Sequence, residues 1–203
     1  MRSAWIGSLL GLLAWPCAAH EGYHLRSHRC LLKPDGLHYA IQYLLPAGDE
    51  ARLSRRRLDA NADGHLDSGE RDAGLDAIQR ELLSGLRVEL DGVELKPRVL
   101  RRESTGLEGP AERSDFISAS VQLVFDLDGG RAGQVRRLVL RDQPVPAAAH
   151  IPVWIQAGKG VEIVEITATR VRSPRSARAR PAMWAGVLHA GARIELRYRS
   201  QAP

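Results

Sequence analysis

Apolar residues recur along this chain at two spacings, and the change from one to the other divides it into elements. Residues 20–32 and 37–45 flank Pro34-Asp35-Gly36, a turn signal, and together read as a β-hairpin. Pro46-Ala47-Gly48 then breaks the second strand. Residues 49–58 follow as a short helix, with Asp49 as its cap and Leu53 and Leu58 as its apolar anchors. Arg52, Arg55, Arg56 and Arg57 fill the rest of that helix and read as a solvated basic face. Leu75, Ile78, Leu82 and Leu86 fall at helical intervals, which predicts a second helix over 68–86 with Gly85 near its end.

From Arg87 the period drops to two. Val88, Leu90, Val93 and Leu95 around Asp91-Gly92 predict a tight hairpin. Residues 101–114, with Gly106, Gly109 and Pro110, read as a polar loop. Ile117, Ala119, Val121, Leu123, Phe125 and Leu127 alternate as one half-buried strand, which Asp128-Gly129-Gly130 ends. Further strands are expected at 135–140, 151–157, 161–171 and 192–200. Many short strands joined by turns predict an α+β protein: an antiparallel β-sandwich-like body with one helix-loop-helix inserted after the first hairpin.

Composition adds a compartment to this picture. The chain has 203 residues, 44% of them hydrophobic, which suits one domain with a real core. Residues 1–19 carry Arg2, an apolar run from 4 to 14, and Cys17-Ala18-Ala19, the features of a secretory signal cut before His20. Lipidation at Cys17 is the alternative, with Trp15 and Pro16 standing against it. The expectation is a periplasmic or secreted domain over 20–203, with no later stretch apolar enough to span a bilayer. Loss of Arg2 from 29 basic residues leaves 28 against 24 acidic ones, too small an excess to call for nucleic acid. Cys30 remains as the lone thiol and reads as buried. Five arginines between 170 and 181 read as an exposed loop, or more sharply as a contact for an anionic lipid or polyanion.

The strongest chemical signal lies between the two helices. Asp59, Asn61, Asp63, Asp67 and Glu70 supply side-chain oxygens at positions 1, 3, 5, 9 and 12 of a twelve-residue stretch, and His65 supplies a carbonyl at position 7. Calcium takes about six to eight oxygen ligands, and a loop with this spacing can wrap it. Position 6 must turn sharply with positive φ, and Gly64 stands there. Leu66 at position 8 points to a core. The bland reading is a solvated Asp/Asn/Gly turn. Against it, four carboxylates in twelve residues repel one another until a cation joins them. The stretch, with a helix before and after it, resembles the EF-hand superfamily, a likeness that implies Ca2+ ligation by Asp59, Asn61, Asp63, Asp67, Glu70 and the carbonyl of His65. No second copy of the pattern occurs, so Leu66 must pack on this domain or on another chain. The nearby arginines weaken the pull on a cation.

One other chemistry has residues that suggest it. His20, His24, His28 and Cys30 suggest a transition-metal site, but on a strand His24 and His28 lie about 13 Å apart at roughly 3.3 Å per residue. They therefore read as separate strand residues, with a newly exposed His20 as the exception. No Gly-x-Ser-x-Gly elbow, helical His-Glu-x-x-His or phosphate-cradling glycine loop commits the chain to a reaction, and it reads as no enzyme. The run from Leu82 to Leu95, LLSGLRVELDGVEL, taken with the loop before it, resembles the extracytoplasmic amino-terminal domain of some bacterial nickel/cobalt transporter-family proteins. That likeness spans about residues 20–128, and the transmembrane helices and histidine-rich loop of that family do not follow. The expected function is an exported calcium-binding protein, its ion a structural clamp or the organiser of an interaction surface, with an envelope or transporter protein as partner. The alternative is a periplasmic accessory to nickel, cobalt or copper handling.

Overall fold

The computed structural model describes residues 25–127, 131–142, 151–172 and 183–201. The leader, His20, His24, the Asp128-Gly129-Gly130 turn and the arginine-rich stretch from 173 to 181 lie outside the described residues. The described chain is mostly β, with two helices, in the order β1 (Leu25–Leu32), β2 (Gly36–Leu45), α1 (Asp49–Leu58), β3 (His65–Leu66), α2 (Ser68–Ser84), β4 (Leu86–Leu90), β5 (Val93–Leu95), β6 (Arg98–Thr105), β7 (Gly109–Pro110), β8 (Ile117–Asp126), β9 (Val135–Asp142), β10 (Ile151–Ala157), β11 (Val161–Arg172) and β12 (Met183–Ser200).

The long strand β12 joins two groups of strands. One of its edges carries β11, and the other carries β10 along residues 183–188 and β9 along residues 192–199. From β10 the sheet continues through β1, β2 and β8 to β6, and from β9 through β4 to β5. Every pairing is antiparallel except β1 with β10, where His28 stands opposite Val153. The body is thus antiparallel with one parallel seam. Alternation along the strands turns one set of side chains into a common core. Leu32, Ile41, Val88, Val121, Leu138, Ile155, Ile194 and Tyr198 are all buried in it, so both groups of strands contribute.

The face of β4, β9, β11 and β12 that points away from this core carries a ladder of ion pairs, all but the Arg193–Glu195 pair within β12 running between strands. Arg137 and Arg193 share Glu195, while Arg141 pairs with Glu89, Arg197 with Glu165 and Arg199 with Glu162.

Several expectations are corrected here. The segment read as a polar loop is a strand to Thr105 and again at Gly109–Pro110. Edge strand β6 is exposed along almost its whole length, so it has no apolar alternation to read. Strand β12 begins nine residues before 192, at Met183, with Trp184, Gly186 and Leu188 on its inward face and half-buried residues between them. The second helix stops at Ser84, and Leu86 opens a strand.

Helix α1 differs most from its reading. Gly48, not Asp49, is the N-cap, and Asp49 instead sits in the first turn with its carboxylate on Arg52. Leu53 is 44% exposed, whereas Ala51 and Arg55 are fully buried. Leu58 meets Gly74 of α2 so closely that a Cβ there would stand 2.7 Å from Leu58 Cδ1. A glycine at that crossing lets the two helices touch.

Candidate metal centre

The six residues read from the loop spacing lie where α1, β3 and α2 meet. Asp59 follows the last residue of α1 and its N–H donates to Arg55 O. Asp67 caps α2: its side chain accepts from Glu70 N, while Glu70 Oε2 accepts from Asp67 N, a reciprocal capping box. Gly64 takes φ +84° in the sharp turn between them, as position 6 requires. Ala62 also takes a left-handed φ of +57°, an uncommon state for a residue with a Cβ.

The loop oxygens are gathered by backbone N–H groups. Asp59 Oδ1 accepts from Asp63 N and its Oδ2 from Gly64 N. Asn61 Oδ1 accepts from Asp63 N, and Asp63 Oδ1 from His65 N. Glu70 Oε1 reaches back across the loop to accept from Ala60 N at 2.8 Å and Asn61 N at 3.3 Å. The last residue of the stretch thereby ties down its first ones. Each carboxylate oxygen has a second lone pair, and Asp63 Oδ2 bonds only the side-chain amide of Asn61. Among the described residues no group of three or more His, Cys, Asp or Glu side chains is gathered closely enough to hold an ion as it stands. The donor set itself is all oxygen and largely anionic, which fits a hard divalent cation.

Leu66 is buried, and its packing partner belongs to this chain. Strand β3 pairs with β7, Leu66 opposite Gly109 and His65 opposite Pro110, and Ala111 N donates to Gly64 O at 2.8 Å. Residues 106–116 therefore form a strap against the loop. What fastens the strap is Arg55, which the sequence assigned to a solvated face. Its guanidinium donates to the carbonyls of Gly106 (2.7 Å), Arg113 (2.7 Å), Asp115 (2.9 Å) and Phe116 (3.3 Å). Gly48 N also donates to Ser114 O, and Arg56 pairs with Glu112. A signal for Arg55 did exist: it lies four residues after Ala51 and three before Leu58, on the inward stripe of the helix.

The histidine-rich alternative meets a different arrangement. His28 is fully buried with both ring nitrogens engaged, Nε2 by Arg26 Nε at 2.9 Å and Nδ1 by the Tyr39 hydroxyl at 2.5 Å. Burial, then the charge of Arg26, holds its imidazole well below the usual range. Cys30 is buried as expected, and burial pushes its thiol well up, with only a partial offset from its bond to Tyr39. No helix among the described residues is long and apolar enough to cross a membrane. Comparison with protein-family models gives no match to this chain, and comparison with curated proteins gives none either.

Proposed function

We propose that this chain is an exported, non-enzymatic calcium-binding protein whose single loop, residues 59–70, takes one Ca2+ through Asp59, Asn61, Asp63, Asp67, Glu70 and the carbonyl of His65, in the manner of an EF-hand inserted after the first hairpin of a sandwich-like body. The observation that carries the reading is the coincidence of an all-oxygen donor set with a positive-φ glycine at its sixth position, held between two helices that touch at Gly74. Bound calcium would supply positive charge among four carboxylates that otherwise repel one another. The chain's own residues do the rest. Asp67 fixes the start of α2, the strap holds Leu66, and the backbone bonds to Asp59 and Asn61 fix the turn in which the ligands sit.

These restraints favour a clamp over a switch. The loop is solitary, its docking strand is paired within the chain, and the strap is fastened by a buried arginine, so little is left free to open. An extracytoplasmic site with a dissociation constant of about 10⁻⁴ to 10⁻³ M suffices for that role. An envelope or transporter protein remains the proposed partner class. Calorimetry on the purified chain should record calcium uptake that disappears when Asp59→Ala and Glu70→Ala are combined. Heat that persists in the double variant, or calcium binding with no rise in melting temperature, would remove the site or the clamp respectively.

A further inference from the structure

Away from the loop, a group of titratable side chains among the described residues is buried without a complete set of partners. Arg26 and His28 on β1, Tyr39 on β2 and Asp142 at the end of β9 meet inside the body, beside a small cavity that Tyr39 and Asp142 line with Val153, Leu188, Ala192 and Ile194. Arg26 Nη2 donates to Asp142 Oδ1 at 3.2 Å and to Leu82 O, in the last turn of α2, at 2.7 Å. Asp142 Oδ2 stands 3.2 Å from His28 Nε2. A ring nitrogen carries either a proton or one lone pair, and Nε2 already accepts from Arg26 Nε. It therefore cannot donate to Asp142, and Oδ2 is left buried with no donor.

We propose that Asp142 is a proton-operated latch: the proton taken up on acidification is held on Oδ2 against His28 Nε2, and its arrival releases Arg26 and with it the last turn of α2. The proton settles on oxygen because the imidazole is disfavoured as a cation by burial and by Arg26, whereas burial pushes the Asp142 carboxyl up to about 6 against the opposing pull of Arg26. Once neutral, Asp142 no longer balances the guanidinium. Its new O–H also competes with Arg26 Nε for the single lone pair on Nε2. Leu82 O alone does not hold a buried guanidinium, so Arg26 leaves the site and its bond to the last turn of α2 is broken. The titratable or charged groups facing this cluster are Arg26 and His28 from β1 and Tyr39 from β2, with Cys30 behind Tyr39; Arg141 of β9 also lines the cavity, its guanidinium paired with Glu89. The described neighbours from β10 and β12 that line the cavity are apolar, and α2 contributes a carbonyl.

The experiment uses the full chain labelled at Asp carboxyl carbons and His ring nitrogens, observed by NMR from pH 8 to 4.5, together with hydrogen exchange of residues 80–86 at pH 7.5 and 5. Expected are one carboxyl titrating near pH 6, missing from the Asp142→Asn spectrum, and a His28 ring that stays neutral through that step. Exchange of residues 80–86, corrected for the intrinsic rate, should be several-fold faster at pH 5 than at pH 7.5, and in Asp142→Asn equally fast at both. The latch is overturned if His28 becomes imidazolium in that range, if every carboxyl titrates near its ordinary value, or if exchange of residues 80–86 ignores pH. Should Asp142→Asn fail to fold, the titration and exchange of the unsubstituted chain decide the matter unaided.

Discussion

Two arginines among the described residues are buried, and they are held in opposite ways. Arg55 is surrounded by four backbone carbonyls of the strap, none of which titrates. Arg26 is held by a carboxylate, an imidazole and one carbonyl. Both place a cation where solvation is poor, and burial lowers the pKa of Arg55, with the nearby charge of Asp115 opposing. The carbonyl cage gives a fastening that acid leaves alone. The mixed cage gives one whose strength depends on where a proton sits. The same side chain thus makes a permanent joint beside the loop and a conditional one under α2.

The largest test of the contrast is Arg55→Met. It leaves four strap carbonyls short of a donor, so a loss of about 3–5 kcal/mol is expected in urea unfolding. That loss should be the same at pH 7.5 and 5.5. Gly106→Ala attacks the joint from the other side, since its φ is +82° and a Cβ would stand 2.3 Å from Phe116 O. Arg26→Met should cost less, about 2–3 kcal/mol at pH 7.5, because three acceptors rather than four lose their donor, Leu82 O, Asp142 Oδ1 and His28 Nε2. Unlike the first loss, this one should shrink on acidification.

The sign follows from the carboxyl. The pKa of Asp142 is raised in the folded state, so folding takes up a proton and stability contributed by this group grows as pH falls from about 6 toward the ordinary carboxylate range. His28 works against it, because an imidazole held neutral in the fold costs stability as pH falls below its usual value. Asp142→Asn removes the first effect and keeps the second. Its stability should therefore fall more steeply between pH 7 and 5 than that of the parent, and parallel profiles would erase the distinction between the two arginines. The smallest expected effect is Glu70→Gln without calcium, about 1 kcal/mol, since an amide oxygen can still accept from Asp67 N. With calcium the same change should weaken uptake by about tenfold or more, because the proposed site would lose one of its carboxylate ligands.

What the sequence made legible was periodic. The first hairpin, the second helix and the alternating strand that became β8 all follow from repeated apolar spacing, and the positive φ of Gly64 follows from the sharp turn expected there. Arg55 was hidden because the run Arg55-Arg56-Arg57 looks uniformly basic, although only its first member shares a stripe with Ala51 and Leu58. Strand β6 was hidden because an exposed edge needs no apolar face. The meeting of His28 with Asp142 could not be read at all, since it depends on a sheet that brings β1 and β9 together through β10 and β12. No local rule couples residues separated by more than a hundred positions.

The placement of β12 also sets an order on how this protein comes into being. Strands β9, β10 and β11 each take β12 as a neighbour, yet all three precede it in the chain. A nascent polypeptide that has reached residue 172 can form the first hairpin and the two helices, but it has no means of joining β4 and β9 to β1 and β10. The interior stays open until Met183–Ser200 arrives, so folding is dominated by distant pairings and is correspondingly slow. During that interval the apolar faces of β9, β10 and β11 lack their final neighbour together, the condition under which an unfinished chain is prone to aggregate.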